Sequence, residues 1–312
     1  MTSQTHTNGA AAAAPGTLRK PSSGSRKAAI VALLFAAPAF LMYATFVLVP
    51  LCLSVYYSLL RWDGIGKARF VGLNSYLIVL TDSDLLQIIG NAFQLVLYFT
   101  LIPVLIGLAV AAVIREHLSG PFGTVTRVVL FLPQVIPLVA AGIAWSWMFA
   151  SSGLVNQALR GIGLGDLARG WLGDFTFALP AVGLIGAWVL LGLCTMLLVT
   201  GITKIDPSLY EAARLDGAGP WQEFIHITLP GLRQELGVCV TVTVIAALAS
   251  FDIVYIATGG GPGIQTTVPG LEIYRLAFAH RQVGLASALA IFLMVLVLVC
   301  VLPIQWLTRV KR

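Results

Sequence analysis

Residues 201–235 read GITKIDPSLYEAARLDGAGPWQEFIHITLPGLRQE, a polar stretch that lies between two apolar ones. It holds eight of the charged residues of the chain, whereas the adjoining runs Phe175–Thr203 and Leu236–Phe251 hold none. An uncharged run of about 20 residues can cross the roughly 30 Å hydrocarbon core of a bilayer as a helix. We therefore interpret the 201–235 loop as a connection between two membrane-spanning helices.

The 201–235 loop carries the start and stop signals of two short helices. Asp206 is a suitable N-cap with Pro207 at the first helical position, and the glycines of the segment 216–219 favour the end of that helix. Pro220 opens a second helix, which we expect Pro230 to terminate. The loop is therefore predicted to be a helix–turn–helix at the membrane surface.

The rest of the chain repeats the alternation of apolar runs and clustered charges. The whole chain is 58% hydrophobic and 10% charged, with a mean hydropathy of +0.91, whereas a soluble domain has about 25% charged residues. This composition excludes a soluble protein and predicts an all-α polytopic membrane protein with six transmembrane helices. We expect these helices within residues 28–58, 88–114, 126–149, 178–201, 236–257 and 284–307.

Several prolines fall inside the expected helices, namely Pro38, Pro50, Pro103, Pro133 and Pro137. Each removes a backbone hydrogen bond, which a membrane tolerates when neighbouring groups satisfy the freed carbonyl. Bends are therefore expected, either around a functional site or as simple packing kinks. Residues 1–27 are rich in Ala, Ser, Thr and Gly and predict a disordered cytoplasmic tail ahead of a transmembrane domain, 28–312.

The net charge of +6 would raise the question of nucleic-acid binding in a soluble protein. With both termini in the cytoplasm, twelve Lys and Arg residues fall inside and seven outside. This surplus agrees with the positive-inside rule, so we interpret the charge as topological and predict a membrane-lipid environment and no nucleic-acid partner. The outer residues are Arg61, Lys67, Arg69, Arg160, Arg169, Arg275 and Arg281.

Glu211, Ala212 and Ala213 could form a docking face, because two small side chains leave a flat surface beside one negative charge. An ordinary amphipathic connector would have the same shape. The spacing separates the two interpretations, since it resembles the EAA motif of binding-protein-dependent ABC importer permeases. The positions that carry the resemblance are Glu211, Ala212, Ala213, Gly217, Ile227, Leu229 and Pro230.

The resemblance extends over residues 70 to 290, and is strongest to the first permease subunit of the carbohydrate branch, which serves maltose, multiple sugars and glycerol phosphate. The segments that carry it are 70–76, Phe131-Leu132-Pro133, Trp145 with Trp147, 153–157, Phe251-Asp252, 258–262, Ile273-Tyr274, Ala277-Phe278 and 284–288. It implies the type I ABC importer permease fold, with a core of about 86–307 and residues 201–235 as the cytoplasmic loop that couples to the ATPase.

The same resemblance implies the partners of the chain. These are a second homologous permease subunit, two ATPase subunits that bind ATP and Mg²⁺, and an extracytoplasmic solute-binding protein. It also implies a multi-pass location in the bacterial cytoplasmic membrane, and no cofactor on this chain. The expected function is import of a di- or oligosaccharide, driven by ATP hydrolysis in the partners.

The chain offers no catalytic constellation of its own, and is therefore predicted not to be an enzyme. The glycine-rich segment 259–263 lacks the Lys-Ser/Thr of a phosphate loop, and the sequence has no Walker motif. The four histidines and the carboxylates are too dispersed for a metal site or an acid–base pair, and no nucleophile elbow occurs.

Polar and aromatic side chains within the expected spans are candidates for the translocation path. Asp252 is costly near a membrane core unless it is solvated or paired, so it either lines the path with Tyr255 or caps the adjacent glycine-rich turn. Hydrogen-bonding and stacking groups suit a sugar, although each could instead join helices. The further candidates are Gln94, Tyr98, Gln134 and Trp188.

Two alternatives remain open at this point, and a third, a membrane enzyme, is contradicted by the residues. A glycerol-phosphate importer would favour a basic lining, but the helix interiors contain no Lys or Arg, which favours a neutral sugar. A stand-alone secondary transporter would show halves with paired broken helices, and none is apparent. A polytopic membrane enzyme would need the missing catalytic residues.

Overall fold

The computed structural model describes residues 23–117 and 121–308, which fall into two units, one up to Cys52 and one from Leu53 onward. Within the described residues the strands are one antiparallel pair, β1 (Leu60–Arg61) and β2 (Arg69–Phe70). The helices are α1 (Ser23–Tyr43, continued by Ala44–Leu48 and Val49–Ser58), α2 (Asn74–Thr81), α3 (Ser83–His117), α4 (Pro121–Val135), α5 (Leu138–Met148), α6 (Leu154–Gly161), α7 (Ala178–Ile202), α8 (Pro207–Leu215), α9 (Pro220–Glu223, continued by Phe224–Thr228 and Leu229–Gly231), α10 (Arg233–Leu248), α11 (Asp252–Ala257), α12 (Pro269–Tyr274, continued by Arg275–Ala279) and α13 (Val283–Thr308).

Four of the described helical stretches are long and apolar enough to cross a membrane: Val31–Ser58, Ser83–Ile114, Ala178–Ile202 and Val283–Thr308. Two helix pairs meet the same criteria but are sharply bent. The pair α4–α5 bends by 98°, and the pair α9–α10 bends by 68°. By length and composition, the described residues therefore contain up to six spans, the predicted number, when each bent pair is counted as one.

The bend between α4 and α5 lies at Ile136 and Pro137, where the sequence places a proline. Pro137 has an extended backbone with ψ of 135° and caps α5, and it has no N–H to continue the ladder of α4. Pro38, Pro103 and Pro133 lie inside uninterrupted helices. Of the prolines considered, Pro137 is thus the one at which a span changes direction.

The fifth span is shorter than predicted, because α10 ends at Leu248 and α11 begins separately at Asp252. The prediction of a single helix within 236–257 was therefore wrong. Phe251 has a non-helical backbone, with φ of −142° and ψ of −59°. Gly270 at the start of α12 lies so close to the Ser250 carbonyl that a Cβ on it would be 2.7 Å from that oxygen. The break lets α12 pack against the end of α10.

The predicted tail also needs a correction. Helix α1 begins at Ser23, so residues 23–27 are helical rather than disordered, because extending a formed helix adds one backbone hydrogen bond per residue. Residues 1–22 and the C-terminal residues 309–312 lie outside the described residues. The side of the membrane on which each terminus lies stays a prediction.

The centre of the second unit is the packing of α7 against α3 and α4, which depends on glycine. A Cβ on Gly186 would overlap the ring of Phe99, and a Cβ on Gly192 would lie 2.5 Å from the Leu130 carbonyl oxygen. Small residues let helix backbones approach closely in membranes, where packing replaces the hydrophobic effect as the driving force. This close packing fixes the walls of the cavity described below.

Helix α13 links the two ends of the second unit, and its 26 residues span about 39 Å. At its start, Gly284 lies directly against the Leu60 carbonyl of β1. At its end, Thr308 packs on Gly237 of α10, and Arg233 donates a hydrogen bond to the Leu307 carbonyl. The β1–β2 hairpin and the 201–235 loop therefore lie at opposite ends of the second unit.

Candidate functional site: the 201–235 loop and a membrane cavity

Helix α8 begins as the sequence predicts. The Asp206 carboxylate accepts a hydrogen bond of 2.9 Å from the backbone N–H of Ser208, and Pro207 occupies the first turn. This N–H and the Ser208 hydroxyl hold the pKa of Asp206 below its usual value. The carboxylate therefore stays charged at the N-terminus of the helix, where a negative charge is favourable.

The turn between α8 and α9 depends on Gly217, whose φ of +82° is accessible to few other residues. Ala218 N–H bonds to the Ala213 carbonyl at 2.9 Å and closes the end of α8. Gly219 N–H bonds to the Gln222 side chain at 3.0 Å, and Pro220 then opens α9. The predicted helix–turn–helix is confirmed.

The expected end of α9 was wrong by one residue, because the helix continues through Pro230 to Gly231. The turn before the proline, Phe224–Thr228, has the wider spacing of a π-helix. A wide turn relieves the clash between the proline ring and the preceding carbonyls that would otherwise break the helix. The change of direction falls instead at Leu232, where the 68° bend leads into α10.

Two side-chain pairs hold α8 and α9 together as one body. Arg214 donates two hydrogen bonds to the Glu223 carboxylate, at 2.7 and 3.3 Å, and the Glu223 side chain is only 3% exposed. The hydroxyls of Tyr210 and Thr228 are 3.0 Å apart, and both residues are buried. A bidentate arginine–carboxylate pair has a defined geometry. We call these four residues the inter-helix brace, and neither pair was predicted from the sequence.

The motif residues of the loop are placed as follows. Glu211, Ala212 and Gly217 are exposed, whereas Ala213 and Ile227 are half-buried. Leu229 and Pro230 are exposed on α9, next to the bend. The loop thus presents the Glu211-Ala212 surface outward.

Two exposed apolar side chains were missed by the sequence reasoning. Leu215 is 90% exposed at the end of α8, and Trp221 is 70% exposed at the start of α9, where it stacks on Phe224. The sequence could have indicated them, because a large apolar residue lies on each side of the polar turn 216–219. We define the docking face as Glu211, Ala212, Leu215 and Trp221.

A cavity of about 570 Å³ lies inside the membrane-spanning part, between the α4–α5 bend, α7 and the end of α10. Two of the six path candidates, Gln134 and Asp252, line it. Most of the remaining wall is apolar, with Ser250 as a further polar group and Phe99 and Phe251 as rings. We call it the membrane cavity.

Within the described part of the chain, the buried Gln134 Oε1 has no hydrogen-bond partner. An unpaired buried acceptor is costly, so this oxygen lacks the partner that a buried amide oxygen normally has. Asp252 starts α11, while the glycine-rich turn is bonded by Thr258, whose hydroxyl accepts from Gly260 N–H at 3.2 Å. The turn therefore has its own capping group, and Asp252 is left at the cavity wall.

The other path candidates lie elsewhere. Gln94 is exposed, and Tyr98 packs on Gly183 of α7. Trp188 meets Trp145 edge-on with ring centres 5.5 Å apart, and Tyr255 stacks on Phe251 at 5.3 Å. The structure does not bring these four side chains to the membrane cavity, whereas Ser250 and Phe251 line it without having been predicted. Among the described residues, no group of His, Cys, Asp and Glu could hold a metal ion.

Comparison with known proteins gives concordant results. The sequence model of a family described as "Binding-protein-dependent transport system inner membrane component" matches residues 103–310. A probable ABC transporter permease protein of Bacillus subtilis, YurN, is 36% identical over 86% of this chain and 92% of its own length. A diacetylchitobiose uptake system permease protein of Streptomyces coelicolor, NgcF, is 30% identical over 83% of this chain and 76% of its own.

The fold also matches a solved structure. A chain in the crystal structure of a bacterial ABC transporter involved in the import of the acidic polysaccharide alginate superposes with a TM-score of 0.73. The two chains are 24% identical, and the alignment covers 91% of this chain and 96% of the other. At this identity the likeness concerns the fold.

Proposed function

Because this chain belongs to the family of binding-protein-dependent transport system inner membrane components, we propose that it imports a sugar as one permease subunit of an ABC transporter. It is a multi-pass inner-membrane permease component and not itself the ATPase. The observation that carries the functional proposal is the braced, outward-facing helix–turn–helix in the 201–235 loop. Such a rigid knob can transmit a displacement, whereas a flexible connector would absorb it.

We assign the docking face to the groove of a partner ATPase subunit. ATP and Mg²⁺ would be bound there and would supply the chemical energy, while this chain supplies the contact. Closure of the two ATPase subunits would move α8 and α9 as one body, because the brace joins the two helices. The 68° bend at Leu232 and the contact of Arg233 with Leu307 pass this movement to α10 and α13. The bundle would then rock from inward-open to outward-open.

The membrane cavity is proposed as a segment of the sugar path, which a second permease subunit would complete. Its lining has a free acceptor at Gln134, a carboxylate at Asp252 and rings at Phe99 and Phe251. None of the described residues that line it is a lysine or arginine, which favours a neutral sugar over a phosphate ester. The sugar named for NgcF, diacetylchitobiose, is of this class.

The docking assignment predicts uncoupling by Gly217→Asp and by Glu211→Lys. Each should leave the complex expressed but lower ATP-driven sugar uptake about tenfold or more, a coupling loss of about 1.4 kcal/mol. The space around a Cβ on Gly217 is open, so the aspartate side chain meets no clash. Its φ of +82° is unfavourable for a non-glycine residue, and the resulting change in the turn, with the added negative charge, should weaken docking. The measurement is uptake and ATP hydrolysis in proteoliposomes holding all subunits and the solute-binding protein.

Gly163→Asp is the matched control, since Gly163 has a φ of +83° and equally open surroundings outside the 201–235 loop. Normal uptake by both loop variants would overturn the docking assignment. Uptake by the chain alone without ATP would overturn the transporter class and indicate a secondary transporter.

The path assignment predicts that Gln134→Leu raises the KM for sugar about tenfold, because one hydrogen bond of about 1.4 kcal/mol is lost from the bound sugar. Asp252→Asn should act in the same direction. The matched control is Gln94→Leu, the same chemical change at an exposed position away from the cavity. An unchanged KM for Gln134→Leu, or an equal rise for Gln94→Leu, would show that the cavity is not on the path.

A further inference from the structure

A second pocket lies at the end of the second unit opposite the 201–235 loop. It has a volume of about 600 Å³ and lies between the β1–β2 hairpin, the start of α2 and the start of α13. Four cationic residues line it, against a single acidic residue, Asp63. We call it the hairpin pocket, and its cations are Arg61, Lys67, Arg69 and Arg281.

The cations of the hairpin pocket are held together at a cost. Arg61 and Arg69 are direct cross-strand partners in the hairpin, and like charges directly opposite destabilise a strand pair. Within the described residues, no carboxylate forms a salt bridge with any of the four cations. Arg281 is also the one non-glycine residue of the described chain with a positive φ, of 53°.

The single acid of the pocket is already engaged by its own turn. One oxygen of the Asp63 carboxylate accepts hydrogen bonds from the N–H groups of Ile65 and Gly66, at 3.0 and 2.7 Å. These N–H groups, with a smaller contribution from Arg281, hold the pKa of Asp63 below its usual value. It therefore stays charged, but it offsets only one of four positive charges.

Exposed apolar side chains flank the cations on the same hairpin and on α2. Ile65, Phe70, Leu73 and Leu77 are each between 59% and 80% exposed. Apolar side chains next to basic ones are typical of surfaces immersed at the headgroup level of a membrane, where the first enter the acyl region and the second meet phosphates. A surface that met only water would gain nothing from these four side chains.

The position of the pocket makes the charges more informative. With the 201–235 loop in the cytoplasm, as the proposed function requires, the hairpin pocket faces the outer leaflet. Cations are selected against on that side of a bacterial membrane protein, yet four of the seven outer Lys and Arg residues converge on this one pocket. Their retention indicates a specific anion.

We propose that the hairpin pocket binds the phosphate headgroup of an anionic phospholipid, such as phosphatidylglycerol, at the outer membrane surface. The cations contact the headgroup, and the flanking apolar residues contact its acyl chains. A free oxyanion would explain the charges but not the exposed apolar flank. The placement in the outer leaflet rests on the proposed function, whereas lipid binding at this end of the chain does not.

The test uses the full chain with the subunits that co-purify with it, in nanodiscs of phosphatidylcholine and phosphatidylglycerol. Phosphatidylglycerol retained after a detergent wash is counted by native mass spectrometry. Each basic residue near anionic lipid contributes about 1 kcal/mol. The double variant Arg61→Gln with Arg69→Gln should therefore have an affinity for phosphatidylglycerol about 30-fold lower than that of the wild type. Retention of phosphatidylcholine should not change.

Removing two facing arginines relieves repulsion, so the double variant should fold with an unchanged or higher Tm, and Lys67→Gln provides a milder second variant with about fivefold weaker retention. The matched control is Arg160→Gln, an exposed arginine on α6 outside the pocket, which should retain the lipid like the wild type. Equal lipid retention in all variants would overturn the proposal.

Two further results would reassign the pocket. Displacement of the lipid by inorganic phosphate alone would indicate a free-anion site. Weaker binding of the solute-binding protein by the double variant, with unchanged lipid retention, would indicate a protein-docking surface. Because retention is measured without sugar or ATP, a failure of the proposed transport function would leave this result readable.

Discussion

We expect Trp221→Ala to weaken the binding of the permease to its ATPase subunit about 30-fold, a loss of about 2 kcal/mol. Trp221 is 70% exposed and Leu215 is 90% exposed on either side of the Gly217 turn. When a partner covers a large apolar side chain that was exposed to water, the free energy of binding becomes more favourable. An exposed tryptophan at the tip of a rigid knob is therefore the residue whose truncation should cost most, and Leu215→Ala should act in the same direction.

The measurement is the affinity of the purified permease pair for the ATPase subunit, by fluorescence or calorimetric titration. Trp147→Ala is a close control, because Trp147 is 74% exposed but lies at the end of α5, far from the 201–235 loop in sequence. If the Trp221→Ala and Trp147→Ala variants bind the ATPase with equal affinity, Trp221 does not belong to the docking face.

The second large effect is expected from the inter-helix brace. Arg214→Met leaves the Glu223 carboxylate buried without its bidentate partner, and breaking such a pair should destabilise the α8–α9 unit by about 3 kcal/mol. Because Arg214 is itself more than half exposed, the value lies at the lower end of the range for buried pairs. The central spans should remain folded, since their buried cluster around Leu95, Phe99 and Ile185 contains no residue of the 201–235 loop.

Hydrogen exchange of residues 207–231 measures this loss, and uptake measures its consequence. Exchange in the loop should accelerate about 100-fold, while sugar uptake falls and the basal ATPase rate of the complex persists. Replacing both partners by apolar residues, Arg214→Met with Glu223→Leu, should recover much of the protection because no buried charge remains. Faster exchange in the double variant than in the single one would contradict the role of the pair.

Most of the architecture was predictable because it depends on local patterns. Six runs of low charge predicted six spans, since a charged residue at the bilayer centre costs about 2.5–3.5 kcal/mol whatever its neighbours are. The N-cap at Asp206 and the turn at Gly217 were predictable for a similar reason, because each depends on the conformational preference of one or two residues. The spacing from Glu211 to Pro230 was enough to indicate the family.

What failed was whatever depended on a distant part of the chain. The end of α10 at Leu248 lies where Gly270, from beyond a long turn, approaches the Ser250 carbonyl. The continuation of α9 through Pro230 required a π-helical turn that no residue preference signals. Packing also decides that Gln134 and Asp252 line the membrane cavity and that the other four path candidates do not, and their contact with the sugar stays a prediction.

The sequence by itself determined that this is a multi-pass helical membrane permease and, apart from the end of the fifth span, where its spans lie, because hydrophobicity and turn preferences act over a few residues. Only the tertiary structure decided which side chains meet. It joined Arg214 to Glu223, set Gln134 and Asp252 on one cavity, and gathered Arg61 and Arg69 with Arg281 from the far end of the chain. These contacts depend on how the helices pack. Packing depends on the surfaces of two helices at once, so it cannot be predicted from either segment alone.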